Sequence, residues 1–212
     1  MTTLYLIRHG ESEANFARVF TGSSNFPLTD KGMWQAKMAA EYLKDKKIDL
    51  VYASPLNRAY NTGKAVSDLL NIPIIPVDGL KEINAGVWEG RKFDDLETEY
   101  PDTYHTWRND IGNARPDGGE SVAELYDRVV KTISEIAKQN NGKNIAIASH
   151  ATPIRAFGGY CFGIKKENLR ELPWPANAAI TKVEFDGEKF INIEYGFEGH
   201  LGDAVTKLPK NV

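Results

Sequence analysis

The sequence predicts an α/β protein, a three-layer α/β/α arrangement with a mainly parallel sheet. Short, wholly apolar runs alternate along the chain with longer segments of helical periodicity, the pattern of strands buried on both faces. Two of these runs, Leu4–Ile7 and Ile145–Ala148, lead into a histidine. No long linker, low-complexity tract or internal repeat divides the 212 residues, so one unit over 1–212 is expected.

The elements follow in order. Leu4 to Ile7 reads as a buried strand that stops at Arg8-His9-Gly10. Met33, Ala36, Ala39, Ala40 and Leu43 recur at helical spacing behind Thr29, an N-cap. Leu50 to Ala53 is a second strand, and Ser54-Pro55 reads as an N-cap and first turn of a helix running to about Leu70. Ile72 to Val77 reads as the third strand. Ser121-Val122-Ala123-Glu124 is a capping box ahead of the apolar stripe Val122, Leu125, Val129, Ile133 and Ile136. Ile145 to Ala148 is the fourth strand. Thr181 to Phe185, the Asp186-Gly187 turn and Lys189 to Tyr195 form a hairpin. Gly86 to Gly119 breaks the rhythm. It is rich in aromatics (Trp88, Phe93, Tyr100, Tyr104, Trp107), holds one short helix near Phe93 to Tyr100, and is expected to form a lid-like insertion over the carboxyl ends of the strands.

Composition narrows the functional classes. Apolar residues make 42% and charged residues 26%, the balance of a folded globular chain. The net charge of −3 provides no basic footprint for nucleic acid or anionic lipid. One cysteine, Cys161, forms neither an internal disulfide nor a zinc cluster. The first apolar run, closed by Arg8, is too short for a signal or spanning segment, and a cytoplasmic protein is expected.

The chemistry gathers at strand ends. His9 and His150 each follow a buried strand, with Arg8 and Arg155 near them. In open α/β sheets the ligand crevice lies beyond the carboxyl ends of the strands, so neighbouring strands would make the two imidazoles face one another. Arg58 follows the strand Leu50 to Ala53, and Glu82 follows the third strand through Asp78-Gly79. A guanidinium matches phosphate oxygens, a histidine nitrogen attacks phosphorus, and a carboxylic acid protonates a leaving alcohol. His105 and His200 are expected to have ordinary surface or structural roles. The same is expected of the turn Gly118-Gly119, although Glu120 beside it is within range of a substrate contact.

Leu6-Ile7-Arg8-His9-Gly10-Glu11-Ser12 with Asn15 resembles the signature of the histidine phosphatase superfamily, the phosphoglycerate mutase-like proteins. The resemblance continues through Phe20-Thr21-Gly22, Pro27-Leu28-Thr29 with Gly32, Ser54-Pro55-Leu56 with Arg58-Ala59, and Leu80 with Glu82. It extends through Gly86, Trp88-Glu89-Gly90, Gly118-Gly119-Glu120-Ser121 and Ser149-His150, about three-quarters of the chain in the family's order. It implies His9 as nucleophile through a phosphohistidine, Glu82 as general acid and base, and Arg8, Arg58 and His150 around the phosphoryl oxygens. Asn15, Thr21, Gly22 and Ala151 complete the implied phosphate-binding set. It implies no metal and no cofactor, a small phosphorylated metabolite as substrate, and leaves room for a homodimer. Ala151, Ala53, Asn25 and Ala85 depart from residues common in the family, and bear on substrate fit rather than on chemistry.

The implied activity is that of a metal-independent phosphomonoesterase. A phosphoglycerate mutase dependent on 2,3-bisphosphoglycerate is the alternative, echoed by Phe20-Thr21-Gly22. The short stretch between Glu82 and Glu120 and the block Glu82-Ile83-Asn84-Ala85-Gly86 resemble the phosphatase branch instead. A binder that has lost its chemistry would not keep Glu82 and both histidines. A metal hydrolase using His9, His150 and Glu82 as ligands would have to tolerate Arg8 beside the ion.

Overall fold

In the computed structural model, which describes residues 1–206, the first apolar run is strand β1, Thr2–Arg8. Positions 207–212 of the unit expected over 1–212 lie outside the described residues. A short helix α1, Glu13–Ala17, follows with Ser12 and Asn15 closing a capping box. Thr29 accepts the Gly32 N–H at the start of α2, Asp30–Leu43. Next come β2, Leu50–Ala53, helix α3, Asn57–Leu70, and β3, Ile74–Pro76. Two short helices, α4 (Phe93–Glu99) and α5 (Pro101–Asn109), precede α6, Val122–Gln139. Strand β4, Asn144–Ser149, leads into α7, Ala151–Cys161, and the hairpin β5, Ile180–Phe185, with β6, Phe190–Phe197, follows.

The strands form one sheet in the order β3-β2-β4-β1-β5-β6. β1 to β4 run parallel, while β5 lies antiparallel to β1 and β6 to β5. The chain moves outward from β1 through β2 to β3, then turns back to fill the gap beside β1 with β4. With right-handed crossovers, that reversal moves the helices from one face to the other. Tyr5, Ile7, Val51 and Ala146 therefore meet Ala39, Ala40 and Leu43 of α2 and Val66 of α3. Leu4, Leu6, Ile145 and Ile147 meet Val122, Leu125, Val129 and Ile133 of α6 and Ile154 and Phe157 of α7. The three-layer expectation holds, with the switch in winding direction at β1 and β4, where a crevice belongs.

Several local expectations need correction. Ser54 does not cap α3. The extended Leu56 is the cap residue, and the Asn57 N–H is satisfied by Oδ1 of the distant Asn25 at 2.7 Å. Met33 is exposed, and Gln35 is buried in its place, donating to the Ala204 carbonyl and accepting the Glu11 N–H. The third strand starts later than Ile72, whose N–H is used to close the end of α3 on the Ser67 carbonyl. Gly86 to Gly119 carries two α-helices, not one, with a single 3-10 turn on either side of them. The residue before a proline is disfavoured in the α region, so α4 ends ahead of Tyr100, and Pro101 then occupies the first turn of α5.

That excursion is fastened to the body. Phe20 donates its N–H to the Arg91 carbonyl at 2.7 Å and accepts from Gly90, and Phe93 donates to Arg18. Trp88, Tyr104 and Trp107 are buried in the same core as Leu4 and Leu6, with Phe20 edge-on to Trp88 at 5.3 Å and to Trp107 at 5.1 Å. No helix among the described residues is long and apolar enough to cross a membrane.

Candidate active site

The register sets the centre of the site. Arg8 pairs with Ser149 between β1 and β4, and Ala53 pairs with Ala148 between β2 and β4. His9, His150 and Ser54 thus leave the sheet side by side. The two imidazole centroids are 5.2 Å apart at 62°. Close approach of α2 to this edge depends on glycine: a Cβ on Gly10 would sit 2.3 Å from the Gly32 carbonyl oxygen.

His9 is held in one tautomer. Its Nδ1 lies 2.7 Å from the Gly10 carbonyl, which can only accept, so Nδ1 carries the proton. Nε2 is therefore an open lone pair, and Arg58 Nε donates to it at 3.3 Å. Burial, then the Arg58 and Arg8 guanidiniums, push the His9 pKa well below its ordinary value, so the ring stays neutral. Arg58 is itself fixed by donating to the Ser24 carbonyl at 2.8 Å and the Gly22 carbonyl at 2.7 Å. Burial lowers its pKa to about 10, which leaves it charged at neutral pH.

Three buried donors at the site lack protein partners: Trp107 Nε1, Arg8 Nε and His150 Nδ1. Arg8 donates to the Pro175 carbonyl at 2.6 Å, but its Nε is buried and unpaired. His150 Nε2 meets Ser54 Oγ at 2.8 Å, while its buried Nδ1 has no partner. Ser54 Oγ accepts the Leu56 N–H, so its own hydrogen is available to His150 Nε2. In the tautomer that accepts this hydrogen at Nε2, His150 carries its own proton on Nδ1. Ser54, expected as a helix cap, instead orients a histidine. Buried unpaired donors are costly, and two beside a nucleophilic nitrogen suit an oxyanion.

Glu82 stands at the opposite side, 8% exposed. Oε1 accepts the Ile83 N–H at 2.8 Å and Oε2 accepts the Thr152 N–H in the first turn of α7 at 3.3 Å. Burial raises its pKa, and those hydrogen bonds and Arg58 only partly reverse the effect. The carboxyl is thereby oriented and biased toward its protonated form.

A cleft opens over these groups, lined on its polar side by Arg8, His9, Asn15, Thr21, Glu82 and Ala151. Asn15 Oδ1 accepts from Asn177 Nδ2 and the Ser12 N–H, which leaves its amide nitrogen for the cleft. Ala151 is the first residue of α7, so the positive end of that helix meets the cleft. Three residues of the expected phosphate-binding set do not line the cleft. Arg58 and His150 are buried against His9, and Gly22 gives its N–H to Glu89 and its carbonyl to Arg58. Arg155 is also directed elsewhere, stacking over Trp174 at 4.2 Å. Glu120 is held by Arg128 through two hydrogen bonds of 2.8 and 2.7 Å. His105 is exposed, and His200 packs on Tyr42 and Phe197. Among the described residues no group of three or more His, Cys, Asp or Glu is placed to hold a metal ion.

Sequence reasoning missed two supports. The segment Pro173-Trp174-Pro175 with Asn177 closes the site from the far side: Pro175 receives Arg8, and Asn177 Nδ2 also reaches the His9 carbonyl at 3.1 Å. Two prolines flanking a tryptophan were the available signal for a rigid extended wall. The other support is Glu89, read as part of a packed turn. Its carboxylate accepts from the N–H groups of Gly22, Ser23, Ser24 and Ala85 and from both serine hydroxyls. Burial pushes the Glu89 pKa up, but these bonds, Ser24 first, bring it below its ordinary value. The loop so gathered is the one whose carbonyls hold Arg58. Glu89→Ala is expected to cost roughly 2–3 kcal/mol of stability and raise KM about tenfold, because several N–H groups lose their acceptor and Arg58 its anchor. Thermal melting and steady-state kinetics with p-nitrophenyl phosphate check both; an unchanged KM would release Glu89 from this role.

Comparison with known proteins agrees with this geometry. The model of the histidine phosphatase superfamily (branch 1) matches residues 4–196. The chain is 27% identical over 212 residues to phosphoserine phosphatase 1 of Hydrogenobacter thermophilus, covering 100% of both chains. It is 37% identical over 147 residues to the adenosylcobalamin/alpha-ribazole phosphatase of Salmonella typhimurium, covering 69% of this chain and 73% of that one. The solved structure of Bacillus stearothermophilus YhfR superposes with a TM-score of 0.91 at 27% identity, covering 95% of this chain and 100% of the other.

Proposed function

We propose a two-step phosphoryl transfer for this chain, which belongs to the histidine phosphatase superfamily (branch 1) and is a phosphoric monoester hydrolase of small phosphorylated metabolites. The observation that carries the residue assignment is the fixed His9 tautomer, with its Nε2 lone pair on Arg58 Nε, the His150 ring 5.2 Å away, and Arg8 Nε and His150 Nδ1 buried without partners.

In the first step His9 Nε2 attacks phosphorus and the P–O bond to the alcohol breaks. Protonated Glu82 gives its proton to the departing oxygen, which leaves as the neutral alcohol. A phosphohistidine and a Glu82 carboxylate remain. In the second step that carboxylate takes a proton from water as the water oxygen bonds to phosphorus. The P–Nε2 bond breaks, phosphate leaves, and His9 and Glu82 return to their starting states. Arg58 Nε, on Nε2 in the resting site, passes to a phosphoryl oxygen; Arg8, His150 Nδ1 and Asn15 take the others, at the positive end of α7. Thr21 and Ala151 form the rim, and Gly22 acts through Arg58. Two guanidiniums stabilise charge that a divalent cation carries in other phosphoryl-transfer enzymes.

Water must reach the phosphoenzyme faster than a second phosphorylated acceptor does, and this separates a hydrolase from a mutase. Incubation with 3-phosphoglycerate, with and without catalytic 2,3-bisphosphoglycerate, is expected to release inorganic phosphate and form no 2-phosphoglycerate. Isomerisation that is stimulated by bisphosphoglycerate and outruns phosphate release would overturn the hydrolase assignment.

A further inference from the structure

The cleft has a second half that this chemistry does not use. Val19, Phe20, Ile83, Phe93, Trp107 and Trp174 supply its apolar lining. We infer that the alcohol released here carries an uncharged planar ring, aryl or heteroaryl, and not a carboxylate or ammonium. This names the substrate class of the site just assigned and rests on that assignment.

Charge is the first argument. Arg8, His9 and Glu82 are the ionisable residues lining the cleft, and all three are committed to the phosphoryl group or the leaving oxygen. A substrate carboxylate in the other half would be desolvated with no cation to meet it, which apolar surroundings strongly disfavour. Three cations near it, Arg91, Arg115 and Arg155, are engaged elsewhere. Arg91 pairs with Glu99 at 3.0 Å and Arg115 with Glu124 at 2.7 Å. Arg155 donates to the Leu172 carbonyl and lies over Trp174. Tyr104, another polar group of this segment, is buried in the aromatic core and does not line the cleft.

Shape is the second. Trp107 and Trp174 are stacked with centroids 6.1 Å apart at 21°, and Phe93 meets Phe20 at 5.5 Å and 60°. Backbone hydrogen bonds from Phe20 to Arg91 and from Phe93 to Arg18 tie together the two segments that carry these rings, and edge contacts between the rings pack them. A wall of rings held before binding favours a flat apolar partner, because little side-chain freedom is left to lose.

The test compares alkyl esters, so that leaving-group acidity is not the variable. For benzyl phosphate, kcat/KM is expected to exceed that for O-phosphoserine and for 3-phosphoglycerate by about 30-fold or more. Trp174→Leu and Phe93→Leu, both at half-buried positions, are each expected to reduce the preference for benzyl phosphate over glycerol 2-phosphate about fivefold. If one variant does not fold, the ratio in the other decides. Turnover of phosphoserine or 3-phosphoglycerate equal to that of benzyl phosphate, or an unchanged ratio in a folded variant, would overturn this inference and leave the phosphatase assignment standing. No turnover of p-nitrophenyl phosphate by the unaltered protein would overturn both.

Discussion

His9→Ala is expected to lower phosphatase turnover by at least about 10⁴-fold and to abolish the acid-labile phosphoenzyme. The argument rests on which nitrogen is free. His9 and His150 are close enough that either ring is a candidate, yet their hydrogen bonds differ in sense. His9 Nδ1 keeps its proton and donates it as a hydrogen bond to the Gly10 carbonyl, which leaves Nε2 as an unprotonated nucleophile beside Arg58. His150 is hydrogen-bonded in the reverse sense, with Nε2 on Ser54 and a buried, unpaired Nδ1, to which we assign its proton. His150→Ala is therefore expected to keep a trappable phosphoenzyme while slowing its formation about 10²- to 10³-fold, the loss of one preorganised donor. Rapid quench with a ³²P-labelled ester and acid-stability analysis distinguish the two. His9→Ala also strips Arg58 Nε of its acceptor at a buried position, a cost of about 1–3 kcal/mol. A folded His9→Ala that turns over within tenfold of the original would end the phosphohistidine mechanism.

What was legible in the chain was either local or shared by all strand ends. The Thr29 and Ser121 caps were readable because the side chain and the N–H that it accepts lie three residues apart. The meeting of His9 and His150 is non-local, but it follows from parallel pairing: in-register neighbours release their chains at the same edge. The supports were not legible for the opposite reason. Glu89 serves N–H groups more than sixty residues earlier, Pro175 receives a guanidinium from β1, and Asn25 completes the first turn of α3. None of these pairings has a period or spacing, and a carboxylate in a turn looks the same whether it faces solvent or four amides. Ser54 shows the sharper limit. A serine before a proline reads as a cap, and only the position of β4 beside β2 turns its hydroxyl toward His150.

Glu82→Gln separates acid catalysis from mere binding, because its effect depends on the ester. Benzyl alcohol leaves as a strongly basic alkoxide and needs the proton, so kcat/KM for benzyl phosphate is expected to fall about 10³-fold. p-Nitrophenolate is a far better leaving group, and its kcat/KM is expected to fall only about tenfold. Glutamine keeps a carbonyl oxygen for the Ile83 N–H and gives up the longer bond from the Thr152 N–H. The second step still lacks its base, and p-nitrophenyl phosphate should therefore give a burst of phenolate followed by slow turnover. The pH profile gives an independent reading. Burial raises the Glu82 pKa, so the acid form persists above the ordinary carboxylate range and is lost as pH rises through that raised value. Burial, with Arg58 and Arg8, lowers the His9 pKa, so the nucleophile is lost only as pH falls well below the ordinary histidine value. Activity is thus bounded on the acid side by His9 and on the alkaline side by Glu82, with its maximum at acidic pH. In Glu82→Gln the alkaline limb of kcat/KM for benzyl phosphate should flatten while the acid limb stays; any alkaline limb that survives belongs to ionisation of the substrate. Equal losses with both esters, together with an unchanged alkaline limb, would remove Glu82 from proton transfer.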